Sequence, residues 1–186
     1  MDKEALIETI VDRELRMFLA VKAKGSPACR QAPDEFRLHR KAQFHPWGTE
    51  ALESYIIDLM DAESEDINLM TKKYALMEGF AEEDDESPLV GAVADLLYSW
   101  QKDMHRAYPL LMRRARSLDE DDGGVSFRAY LTGELCTFSE RTLGLLLQDL
   151  KVKQAKGENF SEQVYTHLLR QHGFTSIEAY QDTLIP

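Results

Sequence analysis

Residues 36–77 read FRLHRKAQFHPWGTEALESYIIDLMDAESEDINLMTKKYALM, and residues 127–168 read FRAYLTGELCTFSERTLGLLLQDLKVKQAKGENFSEQVYTHL. Set against each other at a shift of 91, the two stretches align without a gap. Phe36-Arg37 meets Phe127-Arg128, Leu52 meets Leu143, and Asp58-Leu59 meets Asp149-Leu150. Asn68 meets Asn159, and Tyr74 meets Tyr165. Roughly two or three identities are expected at ordinary amino-acid frequencies, against the seven found. Similar residues fill in between: Phe44 with Leu135, Trp47 with Phe138, Leu69 with Phe160, Met77 with Leu168. The match includes polar residues that helical periodicity alone does not require, so the reading is an internal repeat. The preceding helices match more weakly, with Arg13-Glu14-Leu15 against Lys102-Asp103-Met104. The halves run over about 3–80 and 88–174, joined by an acidic loop at 81–87.

The periodicity inside and around these stretches is helical. Leu6, Ile10, Leu15 or its neighbour Glu14, Phe18 and Val21 step round one face of a first helix, about 3–23. Pro33 suits the first turn of a second helix, to about Phe44. Thr49 reads as the N-cap of a third, which carries Leu52, Tyr55, Ile56, Leu59 and Met60 on one side. Asn68 caps a fourth. Ser87 with Pro88 opens a long helix over about 88–117, which Pro109 should kink. Ser126, Ser139 and Asn159 cap three more, the last with Glu162 completing a capping box. Gly173 ends that helix, and Thr175 with Glu178 opens a short terminal one. No segment alternates at period two. The fold class is therefore all-α: a single-domain bundle of seven to eight helices, residues 1–186, with pseudo-twofold symmetry.

The chain has 186 residues, 33 acidic and 22 basic, for a net charge of −11. At 44% apolar and 30% charged residues it falls outside the disordered, collagen-like and disulfide-framework classes. The acidic balance argues against nucleic acid as the main partner. No basic stretch leads into an apolar run at the N-terminus, and no apolar run approaches the roughly 20 residues of a membrane span. Cys29 and Cys136 form no CxxC pair and read as reduced thiols. The expected location is cytoplasmic, with no membrane association.

Several motifs carry a family resemblance: Asp12-Arg13-Glu14, Met17-Phe18, Ala28-Cys29-Arg30-Gln31, and Arg40-Lys41-Ala42-Gln43-Phe44 followed by Trp47. Leu52-Glu53-Ser54-Tyr55, Asn68-Leu69 and Tyr74 continue it, as do Trp100-Gln101, Tyr108-Pro109, Tyr130-Leu131-Thr132-Gly133-Glu134-Leu135 and Gly173-Phe174. In these the chain resembles a bacterial all-helical family catalogued as domain of unknown function 4125. It departs at Leu15, where the family pattern has Trp, and at 24–27, where the family is richer in Gly and Asn. The resemblance implies a helical fold and a bacterial cytosolic setting, and supplies no activity. Some relatives are joined to nucleotidyltransferase-like domains, which implies a partner of that kind.

Catalytic and metal motifs are sparse. No His has Glu three residues before it, so the di-iron pattern is missing, as is HExxH. No metal and no cofactor is expected. There is no G-x-S-x-G elbow and no phosphate loop. Cys29 beside Arg30 invites a low thiol pKa, but packing explains a lone cysteine as well. Arg40-x4-His45 fits the loose pattern of HEPN-type ribonucleases, at a frequency that chance alone supplies.

The arginines are more informative. Arg37 and Arg128 are repeat mates, and the simplest reading pairs them with Asp58 and Asp149, which repeat at the same shift. The functional alternative is an anion pocket lined by Arg37, Arg40, Gln43, Trp47 and Arg128, with planar guanidinium forks for carboxylate or phosphate and an indole face for stacking. Arg113, Arg114 and Arg116 read as cations offsetting a helix C-terminus. Three functions follow. The first is a non-catalytic interaction or scaffold domain with a protein partner or a second copy, which calls for an exposed apolar patch. The second is a small-molecule protein or enzyme that holds an anionic ligand in the Arg/Trp pocket. The third is the ribonuclease, which needs Arg40 and His45 side by side.

Overall fold

The sequence signals for helix starts mature into caps with identifiable partners. In the computed structural model, which describes residues 2–21, 33–79, 87–119 and 124–184, ten helices are found and no strand among the described residues. Cys29, Arg30 and most of the acidic stretch 81–87 lie outside the described residues. The Asp2 carboxylate accepts from the Ala5 N–H and starts α1 (Lys3–Ala20). Asn68 caps α4 (Leu69–Met77) through Thr71 N–H, and Asn159 caps α9 (Phe160–Gln171) through Glu162 N–H. Ser87, Ser126 and Ser139 cap α5 (Pro88–Ala107), α7 (Phe127–Leu135) and α8 (Glu140–Ala155) in the same way. Each cap satisfies an N–H that the helix itself leaves without a partner.

Three expectations change. Thr49 is the first residue of α3 (Thr49–Ser64), and Gly48 is its N-cap. The terminal helix α10 (Ile177–Asp182) is capped by Ser176, not Thr175. The long helix expected to run to about 117 breaks at Tyr108. Pro109 has no N–H to continue the ladder, so the chain turns there and restarts as α6 (Pro109–Met112). That break and α10 bring the count to ten rather than seven to eight.

The helices pack in a reciprocal pattern. α1 lies against α2 (Pro33–Phe44), α3 and α4, while α5 lies against α7, α8 and α9. Between these groups α3 meets α8, α2 meets α9, and α4 meets α7. Where α3 crosses α8 the residues are small, and Ser54 Oγ sits 2.8 Å from Thr142 Oγ1. An aromatic group fills the adjoining core: the Phe138 ring meets Trp47 edge-on at 5.6 Å and Tyr55 at 4.7 Å. A smaller cluster of Met104, Leu111, Met112, Leu169 and Ile177 fastens α6 and α10 to α5 and α9.

The two halves also cap each other. Asp149 Oδ2 accepts from Gly48 N–H at 2.7 Å, and Asp58 Oδ2 accepts from Ser139 N–H at 3.0 Å. The approach at Gly48 is close: a Cβ there would stand 2.5 Å from Asp149 Oδ1. Gly48→Ala is therefore expected to lower stability by about 1–3 kcal/mol through steric overlap and loss of the buried bond. Asp149→Ala should lower it by about 1 kcal/mol, as for other lost caps. The two effects should be non-additive in a double-mutant cycle by urea unfolding, because Asp149→Ala removes the obstacle. Additive losses would contradict the contact.

Candidate functional site

An interior charge on an apolar helix face is the local anomaly from which the site grows. α1 buries Leu6, Ile7, Ile10, Val11 and Leu15, and amid them Glu14, which has no exposed surface. α2 faces it with Arg40, α4 with Lys73 and α7 with Glu134, none more than 4% exposed. Arg40 donates from Nε to Glu14 Oε2 at 2.6 Å and from a terminal nitrogen to Glu14 Oε1 at 2.5 Å. That same nitrogen lies 2.7 Å from Glu134 Oε1. Lys73 Nζ reaches Glu134 Oε2 and the Tyr130 hydroxyl, both at 3.0 Å. Gln43 links the two sides, accepting from Arg40 at 2.6 Å and donating to Glu134 at 3.0 Å. Tyr55 donates its hydroxyl hydrogen to Glu14 at 2.8 Å.

Two cations and two carboxylates make the group neutral, which is the condition for keeping four ions out of water. Burial alone would raise the Glu134 pKa, but Arg40 and Lys73 reverse this and hold it well below the usual carboxylate range. Burial would lower Lys73, and Glu134 outweighs it, so Lys73 stays an ammonium with its pKa raised. Arg40 is likewise driven up, by Glu134 and Glu14 against burial. Burial, then Glu14, push the Tyr55 phenol well above its ordinary value, so it remains a donor. A charged Lys73 is an electrostatic donor and no amine nucleophile.

Arg40, Gln43 and Lys73 form part of the wall of a cavity of about 870 Å³, lined mainly by α2, α4, α5, α7 and α9 with α6 and α10 contributing. Its remaining wall is largely aromatic: Phe18, Phe36, Tyr74, Phe127, Tyr130 and Tyr165. Arg114 and Arg116 line it as well. Arg114 donates to the Tyr180 hydroxyl at 3.2 Å, and Arg116 lies 4.7 Å over the Tyr130 ring. Neither is paired with a carboxylate among the described residues. Glu35 lines the cavity with His39 and His172, its carboxylate 4.0 Å from each imidazole Nε2. Burial chiefly lowers the His39 pKa, against the pull of Glu35.

Of the five residues expected to form an anion pocket, Arg40 and Gln43 come together here. Arg37 is elsewhere, paired with Asp12 at 2.7 Å. Arg128 is half-exposed, 3.2 Å from Asp95 and stacked over Tyr98. Trp47 is buried in the aromatic core. The bridges expected to Asp58 and Asp149 do not form, because those carboxylates cap Ser139 and Gly48. Arg40 and His45 line different cavities, so the arrangement a ribonuclease would need is not present. Sequence reasoning passed over Glu14, Lys73, Glu134, Tyr55 and Tyr130 as site residues. Two signals were available: Glu14 interrupts an apolar stripe, and Glu134 is the repeat mate of Gln43.

The sequence model of a family described as "Protein of unknown function (DUF4125)" matches residues 4–182. The chain belongs to the DUF4125 family. No curated protein and no solved structure matches it. The family assignment carries no activity, so the chemistry of this DUF4125 protein has to be argued from its cavity.

Removing one partner of the buried group leaves uncompensated charge. Glu134→Ala is expected to cost about 3–5 kcal/mol in urea unfolding, since Lys73 then faces no carboxylate. Glu134→Leu with Lys73→Met should cost well under the sum of the single changes. The stabilisation from Glu134 is complete above about pH 4.5, its ordinary pKa, and fades as pH falls below that. Acid unfolding profiles of Glu134→Gln should therefore be flatter below pH 4.5 than those of the wild type. Equal slopes would contradict the pairing.

Proposed function

We propose that the chain is two related helical halves, 3–80 and 88–174, about a pseudo-twofold axis, and that the aromatic cavity binds a small anion with an aromatic or apolar body. The repeat is supported by contacts that recur at equivalent positions. Asp58 and Asp149 cap Ser139 and Gly48, all four related by the shift of 91. Asn68 and Asn159 each donate to a carbonyl of the preceding long helix, Met17 in α1 and Trp100 in α5. Asp66 and Gly157, also mates, both hold a positive φ, at 57° and 71°, after α3 and α8. The first helices correspond at a shift of 83, not at the 89 of Arg13-Glu14-Leu15 against Lys102-Asp103-Met104. Ile7, Ile10, Val11 and Met17 are buried as Val90, Val93, Ala94 and Trp100 are, and the pair Arg37–Asp12 answers Arg128–Asp95. Across the axis Gln43 bonds its own mate Glu134, and Trp47 packs on its mate Phe138.

The repeat makes one half a control for the other. The mates of Glu14, Arg40, Tyr55 and Lys73 are Leu97, Leu131, Leu146 and Val164. The first half thus supplies Glu14, Arg40, Tyr55 and Lys73 to the ionic group where the second has aliphatic residues, and the second half supplies Glu134. Buried ion pairs are at best neutral for stability against aliphatic replacements. The packing therefore does not call for these charges, and the observation that carries the proposal is that Arg40 and Lys73, with Gln43 and Tyr130, line a cavity. Pairs of mates line it: Phe36 with Phe127, His39 with Tyr130, Arg40 with Leu131, Tyr74 with Tyr165.

The volume and the aromatic wall suit a small organic ligand. Lys73 has a third hydrogen and Tyr130 its phenolic hydrogen to offer to the polar end of a ligand. Arg114 and Arg116, with no carboxylate within ion-pair distance among the described residues, supply positive charge in a protein of net charge −11. The scaffold reading has less to rest on: the large apolar side chains exposed among the described residues, Leu19, Ile57, Met60, Ile67 and Val152, are each only about half exposed.

Thermal unfolding against aromatic carboxylates, phosphate esters and nucleotides tests this directly. A ligand at a hundred times its dissociation constant stabilises by about 2.7 kcal/mol, roughly 5–10 °C in a domain of this size. The expected result is a saturable rise in Tm for at least one aromatic anion, greatly reduced in Arg114→Ala/Arg116→Ala and in Tyr130→Phe, whose unliganded Tm values stay near wild type. An identical rise in those variants would place binding elsewhere.

A further inference from the structure

A second cavity, of about 540 Å³, is formed where the first turn of α1, the His45–Pro46 turn after α2, the end of α8 and α9 come together. Five basic or titratable side chains line it: Lys3, His45, Lys153, His167 and Arg170. The His45 and His167 rings stack with centroids 3.9 Å apart and planes 21° apart. His45 Nδ1 is buried and has no hydrogen-bond partner among the described residues. Two carboxylates also face the space, and both are engaged. Glu158 accepts from Gln163 at 2.9 Å with Lys153 at 3.6 Å, and Glu162 takes a bond from the Tyr108 hydroxyl at 3.3 Å. Lys153 donates to Gln163 at 2.8 Å. Among the described residues neither Lys3 nor Arg170 has a carboxylate within ion-pair distance.

The repeat again supplies a comparison, and this part of the argument rests on it. The mates of His45, Lys153, His167 and Arg170 are Cys136, Ala62, Leu76 and Gly79, and the mate of Lys3 is Glu86. The helices assemble in the other half with no basic residue at any of these places. Like charges gathered in a cavity repel unless something answers them.

We propose that this cavity is an oxyanion site, taking a phosphate or sulfate group between Lys3, Lys153 and Arg170, beside the stacked rings of His45 and His167. The anion supplies the negative charge that the two ammonium groups and the guanidinium face. Burial is the main influence lowering both imidazole pKa values; His167 and Lys3 add to it at His45, and Arg170 adds to it at His167. Lys153 adds to the effect on His45. Glu4 on α1 pulls both the other way, and Glu158 and Glu162 complete the facing charges. A dianion favours a protonated imidazole, so binding takes up protons and tightens as pH falls from 8 to 6.

The test is a titration of the full chain with sulfate, whose charge is constant over that range, and with inorganic phosphate, against chloride at equal ionic strength. Thermal unfolding and the imidazole Hε1 resonances are the readouts. Expected are a saturable Tm rise with both oxyanions and shifts of the His45 and His167 resonances. The apparent affinity should be at least tenfold weaker in Lys153→Gln and His45→Gln, and at least threefold tighter at pH 6 than at pH 8 for sulfate. Arg116→Ala, in the other cavity, should respond as wild type, so failure here is distinguishable from failure of the aromatic-anion reading. An equal response to chloride, or unmoved imidazole resonances in the wild type, would overturn the proposal. So would a response preserved in Lys153→Gln. If His45→Gln does not fold, the wild-type resonances and Lys153→Gln decide.

Discussion

Electrical neutrality in a dry interior is the constraint on which the rest of this molecule turns. Glu14, Arg40, Glu134 and Lys73 come from four helices, and none is tolerable in the interior without the others. Their mutual bonds fix the relative positions of α1, α2, α4 and α7 more tightly than apolar contacts alone, because each donor must meet its acceptor. Tyr55 and Gln43 take the remaining bonds, and the group meets the cavity where Arg40, Gln43, Lys73 and Tyr130 line it.

The proposed repeat turns that constraint into an argument about function. At the positions aligned with Glu14, Arg40, Tyr55 and Lys73 the second half carries Leu97, Leu131, Leu146 and Val164, and its one member of the ionic group is Glu134, aligned with Gln43. The same logic picks out the His45–His167 cavity, where four basic residues have small or apolar mates.

Much of the fold was legible in the chain, since helix starts are written in local chemistry. Asn68, Ser87, Ser126, Ser139 and Asn159 cap where their side chains predict. The misplaced caps, Thr49 and Thr175, each sat one residue from the true one, a distance at which hydroxyl residues and glycine compete on equal local terms. The site was less legible. Arg40 and Gln43 stood out on α2, but their partners come from helices up to 91 positions away, and no local pattern says which cation meets which carboxylate. Arg37 looked equivalent to Arg40. It lies three residues along the helix, on a face that meets Asp12 and solvent, and that difference depends on how α2 is rotated against α1.

The central claim is that the ionic group serves the cavity and not the stability of the bundle. Its most direct test is the unfolding free energy, by urea at pH 7, of the chain carrying Glu14→Leu, Arg40→Met, Tyr55→Phe, Lys73→Met and Glu134→Gln together. The account predicts a cooperative, helical protein within about 1 kcal/mol of the wild type or more stable than it, as when buried ionic groups are replaced by aliphatic ones elsewhere. A loss of more than about 3 kcal/mol, or a chain that no longer folds, would contradict it.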